Sequence, residues 1–249
     1  YEPGDPNTPQ PPARAYVSEV GAPVGKLRVG LLSGALLPGG LDHPEAHASV
    51  AATGKLLESL GHHVEVTHPV ALNDADFGDM FLAIVIAHIA NDVAALEKQF
   101  GVSLSTDDIE PGNHLMAQFG NVTNVVAYLT AVGWMQAWTR KVVSWWLPRD
   151  GSQGFDVLVT PTLAGPPPKI GALSGDDSTD RIREIMQYTA QFNMTGQPAI
   201  SLPLHMSADG LPMGVQFVGA PYREDLLLRL AAQLETAAPW SQRRPAVHA

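Results

Sequence analysis

Lys26–Leu32 (KLRVGLL), Asp42–Glu45 (DHPE) and His63–Thr67 (HVEVT) are the segments whose reading decides the fold. The first is a short apolar strand. The second is a helix start, with Asp42 expected as N-cap, Pro44 in the first turn and Glu45 at N3. Ala46, Val50, Gly54, Leu57 and Leu60 follow at helical spacing, and Gly61 is placed to end the helix in a left-handed turn. His63–Thr67 alternates like a second strand. Strand, helix, strand is a βαβ unit over residues 26–70, so the strands should run parallel with a right-handed crossover.

Before this unit, residues 1–25 are rich in Pro and Gly and read as an extended linker or surface segment. The chain opens at Tyr1 with neither a basic stretch nor an apolar one, so no secretory signal is expected, and the opening reads as a piece of a longer protein. After the unit, residues 73–147 offer no strand. Met80–Ala90 is almost wholly apolar, and Pro111–Thr139 carries no Asp, Glu, Lys or Arg. The second stretch has the length of a membrane span. Asn113, His114, Gln118, Asn121, Asn124 and Gln136 weigh against one, so a buried helical layer on the substrate side is expected. Trp134, Trp138, Trp145 and Trp146 should cluster near its end as core.

The last third, residues 155–236, changes texture. Phe155–Val159 (FDVLV) is a buried strand running into Thr160, Pro161 and Thr162, and a helix is expected over 178–191. Pro198–Leu204 and Pro212–Val218 flank Ser207–Gly210, whose Asp-Gly pair signals a hairpin. Glu224–Thr236 reads as a closing amphipathic helix with Leu227, Leu230, Ala231 and Leu234 on one face. The fold class is α/β, a mixed β-sheet flanked by helices.

Composition narrows the chemistry. The formal net charge is −10, and no Lys/Arg cluster occurs, which argues against nucleic acid and anionic membrane as partners. The absence of cysteine excludes a disulfide framework, a thiolate metal site and a cysteine nucleophile, and it fits a cytoplasmic chain. His43 and His47 stand four apart with Glu45 between them, but no third metal ligand is evident, so solvent-facing helix residues are the reading for them. Ser201 lacks a Gly-x-Ser-x-Gly elbow, and alternation places His205 on the same strand face about 13 Å away, out of reach. No phosphate-binding glycine loop is present, and no cofactor or metal is expected.

Phe155–Thr162, Phe192–Pro203 and Gly210–Gly219, taken in this order and spacing, resemble the C-terminal part of amidase signature family enzymes. The βαβ unit, the linker residues Gly4–Pro6 and the Leu/Ala-rich closing helix fit the same comparison, which covers essentially all 249 residues as one amidase domain portion over 26–249. The resemblance implies hydrolysis of a carboxylic amide by a Ser–cis-Ser–Lys triad, with an activated hydroxyl, a lysine base kept neutral by burial and backbone N–H groups around the oxyanion. This chain departs from the family at the decisive place. It has no Gly/Ser-rich signature segment and no Ser-Ser pair, and Lys26, Lys55, Lys98, Lys141 and Lys169 match none of the family's lysine context. No catalytic residue is assigned here; the triad is expected on an amino-terminal segment of roughly 200 residues or more.

What the resemblance does imply for this chain is a pocket wall. The N-x-x-G-x-P turn, Asn193, Met194, Thr195, Gly196 and Gln197, is expected to approach the acyl side of a bound small-molecule amide, with Met194 and Gln197 lining the pocket. Thr160 and Thr162 are read as structural, and Trp134 and Phe119 as substrate contacts second to their burial. The expected partners are the substrate and the amino-terminal part of the same enzyme, and a homodimer is compatible with both. The alternative readings are a non-catalytic subunit that binds a partner chain, or a transamidation subunit, which the acidic composition disfavours.

Overall fold

Val157–Pro161 (β3) is buried at all five residues, and the sheet is arranged around it. The computed structural model describes residues 11–36, 39–148, 150–173, 178–185 and 187–245. Of the linker or surface segment expected over 1–25, residues 1–10 lie outside them. The described residues fall into two compact units, one drawn from 1–69, 143–168 and 184–249, the other from 70–142 and 169–183.

The first unit holds β1 (Arg28–Leu31), α1 (Pro44–Ser59), β2 (His63–Glu65) and β3, and in its last segment α6 (Ala190–Thr195), β4 (Ala199–Met206), β5 (Pro212–Gly219) and α7 (Glu224–Ala237). Helices α2 to α4 belong to the second unit, and α5 (Ser178–Ile185) precedes α6. The five strands lie in the order β2-β1-β3-β5-β4. β1 is parallel to both β2 and β3, while β5 is antiparallel to β3 and β4, which makes the sheet mixed as expected.

Register sorts the side chains onto two faces. Val29 lies opposite Val157, Val159 opposite Phe217, and Leu202 opposite Val215. These residues form one core with Val50 and Leu57 of α1 and Leu226, Leu227, Leu230 and Leu234 of α7. Gly54 lets α1 approach the sheet closely, since a Cβ there would stand 2.7 Å from a Leu31 methyl. The other face is different: Thr160 lies opposite Gln216, Gln216 opposite Ser201, and Gly30 opposite Leu158. Gly30 is bare because the Trp145 ring lies over it, and Trp145 in turn stacks on Phe155 at 4.1 Å.

The segment before β1 is tied down by charge. Glu19 is buried, and its carboxylate takes hydrogen bonds from Arg14 and from Arg229 of α7, the latter at 2.6 Å. These hydrogen bonds, from Arg14 first, hold the Glu19 carboxyl down from its ordinary 4.5 to about 2. A buried carboxylate needs such partners to stay charged.

The second unit is helical. It contains α2 (Phe77–Phe100), α3 (Pro111–Val122) and α4 (Val125–Val143). Gly120 of α3 meets α2 so closely that a Cβ would overlap the Ile86 carbonyl oxygen. Trp138 is buried, stacks on Trp134 at 6.0 Å and donates from Nε1 to the Ala71 carbonyl at 2.7 Å.

Several expectations are corrected. The N-cap of α1 is His43, whose Nδ1 accepts from the Glu45 amide at 3.2 Å, while Asp42 turns to His47. The uncharged stretch 111–139 is two helices broken at Thr123 and Asn124, not one span. The helix of the described residues long and apolar enough to cross a membrane is α2, by length and composition. Within the second unit Trp134 stacks on Trp138, and within the first Trp145 meets Trp146 edge to face. The helix expected over 178–191 is divided into α5 and α6, because Gln187 and Tyr188 turn inward to bind backbone of the loop after β1.

Two outcomes follow from this packing. Leu57→Ala, at a site with no exposure, should cost about 3 kcal/mol in urea unfolding. Because its carboxyl is held low, Glu19 contributes stability that is fully present above pH 4.5 and lost as pH falls toward 2. The gap between wild type and Glu19→Gln in denaturant midpoint should therefore be largest near neutrality and close on acidification.

Candidate functional site

The carboxyl ends of β1 and β3 stand side by side, and the loops leaving them are held by a buried polar network. Gln216 donates from Nε2 to Thr160 Oγ1 at 3.0 Å and to the Tyr188 carbonyl at 2.8 Å. The Tyr188 hydroxyl donates to the carbonyls of Ser33 and Gly34, each at 3.1 Å. Burial, helped by the Asp42 carboxylate, pushes the Tyr188 phenol up to about 12, so it stays a donor. Gln187 accepts from the Leu36 amide at 2.8 Å and donates to the Leu41 carbonyl at 2.8 Å. The loop after β1 is thereby fixed to the segment between α5 and α6. On the other side Gly165, in the loop after β3, packs against His43 and Leu41.

Two side-chain clusters lie in or beside these loops. In the first, His47 Nδ1 is 3.0 Å from Ser33 Oγ, and His47 Nε2 is 2.6 Å from Asp42 Oδ1. In the second, Glu45 accepts from His205 Nε2 at 2.7 Å and from the Ala208 amide at 2.7 Å, which ties the start of α1 to the β4–β5 hairpin. The His205 contact, then the Ala208 amide, holds the Glu45 carboxyl below the usual carboxylate range. Among the described residues no three or more His, Asp or Glu side chains converge as metal ligands.

The structure places each residue singled out in the sequence. Asn193, Met194 and Thr195 form the last turn of α6, with Asn193 exposed and the other two half-buried. Gly196 closes that helix at φ 67°. Gln197 is buried, and its Nε2 donates to the Gly219 carbonyl at 2.7 Å, anchoring the turn to β5. Its Oε1 is buried without a partner, as is Gln191 Oε1. Thr160 is buried in the network, whereas Thr162 and Ser201 share a hydroxyl contact at 2.6 Å on the same sheet face. Gly214 beside them has no room for a Cβ, which would overlap Ser201 Oγ.

Ser201 and His205 do not share a face, contrary to alternation. A bulge between Leu202 and His205 adds one residue to β4, and His205 turns to Glu45. His43 and His47 are not simply solvent-facing either: the first caps α1 and the second joins Ser33 to Asp42. Phe119 is exposed, and Trp134 is half-buried against Trp138. Sequence reasoning missed Gln187, Tyr188 and Gln216, whose partners lie far along the chain. The one local signal was the i, i+5 spacing of Asp42 and His47 around a helix start.

The family model described as Amidase matches residues 1–228. The 6-aminohexanoate-cyclic-dimer hydrolases of Pseudomonas sp. (strain NK87) and Paenarthrobacter ureafaciens are each 35% identical over 255 residues, covering 98% of this chain and 51% of theirs. A solved structure of 6-aminohexanoate cyclic dimer hydrolase complexed with substrate superposes with a TM-score of 0.88 at 35% identity, covering 99% of this chain and 52% of that one. The chain belongs to the amidase signature family. It spans about half the length of the curated relatives it matches.

Gln216→Leu should leave the Tyr188 carbonyl and Thr160 hydroxyl short of a donor and cost about 1–3 kcal/mol by thermal or urea unfolding.

Proposed function

We propose that this chain is the carboxyl-terminal half of an amidase that hydrolyses a small or medium apolar amide to an acid and an amine without a metal. The observation that carries the reading is the comparison just given: relatives at 35% identity match this chain from end to end and are about twice as long. The sequence described here contains no Ser-Ser pair and no Gly/Ser-rich signature segment. The Ser–cis-Ser–Lys triad therefore belongs to the amino-terminal half.

In this reading the missing half supplies the nucleophile, the bridging serine and a lysine kept neutral by desolvation. The present chain supplies a wall. The turn Asn193–Gln197 ends α6 with Asn193 outward and Gln197 locked to β5. A turn held this firmly positions a substrate better than a free loop does, because orientation is set before binding. The relatives' printed substrate, the cyclic dimer of 6-aminohexanoate, is the first amide to assay, since its polymethylene ring suits an apolar pocket with few polar groups.

The test has two arms. The reading frame upstream of Tyr1 should encode a Gly/Ser-rich segment with a Ser-Ser pair and a lysine, and the full frame should open the cyclic dimer, followed by chromatography of the linear product. The 249-residue chain alone should show no amide turnover. An upstream frame without that segment, or turnover by the rigorously pure chain alone, overturns the proposal.

A further inference from the structure

We propose that Ser33, His47 and Asp42 form a nucleophilic site that accepts an acyl or phosphonyl group from an activated ester. The site follows from the topology. β2 lies on one side of β1 and β3 on the other, so the chain's winding reverses at the β1/β3 pair. In open α/β sheets the space outside the carboxyl ends of two such strands is where ligands bind. Ser33 stands two residues beyond the end of β1, and Asp42 and His47 bracket the start of α1.

The geometry is that of a nucleophile, a base and a group that orients the base. Asp42 Oδ1 is an acceptor 2.6 Å from His47 Nε2, so that nitrogen carries the proton when the imidazole is neutral. The lone pair is then on Nδ1, which faces Ser33 Oγ at 3.0 Å. The Ser33 backbone cannot drift, because its carbonyl and that of Gly34 both accept from the Tyr188 hydroxyl. Among the described residues, a Cβ added at Gly34 would meet nothing within 4 Å. The Gly34 amide also follows the nucleophile directly, the position from which a backbone N–H serves an oxyanion in other serine hydrolases.

The chemistry balances. Ser33 Oγ attacks the ester carbonyl carbon and its proton passes to His47 Nδ1. The bond from carbonyl carbon to the leaving oxygen breaks, that oxygen takes the proton from Nδ1, and an alcohol or phenol departs. Water then hydrolyses the Ser33 ester to release the carboxylic acid. A fluorophosphonate is attacked at phosphorus instead, with fluoride leaving. The side chains of His47 and Asp42 are 43% and 56% exposed, so water screens their pairing and the base is only modestly assisted. The reaction expected of the site is therefore with activated esters.

The test is labelling of the 249-residue chain with a fluorophosphonate–rhodamine probe, followed by peptide mapping. Ser33 falls in the tryptic peptide Val29–Lys55, which also contains Ser49, so fragment spectra distinguish the two. The expected result is one adduct, on Ser33, and a stoichiometric burst of p-nitrophenolate from p-nitrophenyl acetate. Ser33→Ala should remove both, and His47→Gln should slow labelling about a hundredfold while leaving the circular dichroism spectrum unchanged. An adduct confined to any other serine, no adduct on the folded wild-type chain, or equal labelling rates in wild type and His47→Gln overturns the proposal. Wild-type mapping alone decides it if a variant fails to fold. Failure of the amidase reading would appear as absent amide turnover in the full frame, a separate measurement.

Discussion

The pairing of β1 with β3 is the constraint from which the rest of the structure follows. Parallel strands cannot be joined by a tight turn, so everything between Leu31 and Val157 is crossover: α1, β2 and the three long helices of the second unit. The pair is sealed at both ends, by the Arg28 amide donating to Asp156 Oδ2 at 2.8 Å and the Leu32 amide donating to the Val159 carbonyl at 2.9 Å. β3 is then buried between a parallel neighbour and an antiparallel one, which is why Val157, Leu158 and Val159 are apolar without alternation. The same pairing places the loops after β1 and β3 together.

The two faces of this sheet do different work. One is a packed apolar layer between strands and the pair α1 and α7, where the area removed from water supplies stability. The other carries Thr160, Gln216, Ser201 and Thr162, and its buried members are joined to Tyr188, Gln187 and the loop after β1. Buried amides and hydroxyls stabilise only when paired, and such a network fixes loop positions more sharply than apolar contact does. The polar face thus fixes the loops that leave the carboxyl ends of β1 and β3.

The elements of the βαβ unit, the β4–β5 hairpin and α7 were legible from local pattern, because hydrophobic period and turn residues act within a few positions. Gly61 and Gly210 adopt the positive φ their turns require, at 88° and 76°. The errors share a cause. Asp42 reads as a cap by residue type, yet His43 takes that role because Asp42 has a stronger partner in His47. Residues 178–191 read as one helix, yet Gln187 and Tyr188 are drawn out of it by backbone groups about 150 residues away, such as Leu36 and Gly34. The bulge in β4 is silent in sequence, and it alone separates the faces of Ser201 and His205.

By itself the sequence determined the fold class, the order of the elements and the family, since these rest on periodicity and on ordered motifs along the chain. Tertiary structure alone decided which side chains meet. Ser33 joins His47 across the start of α1, Gln216 joins Tyr188 across a sheet face, and Glu45 joins His205 from 160 residues away. Such contacts depend on strand register and crossover geometry, and a one-residue slip in register would send the strand residues Gln216 and His205 to the opposite faces.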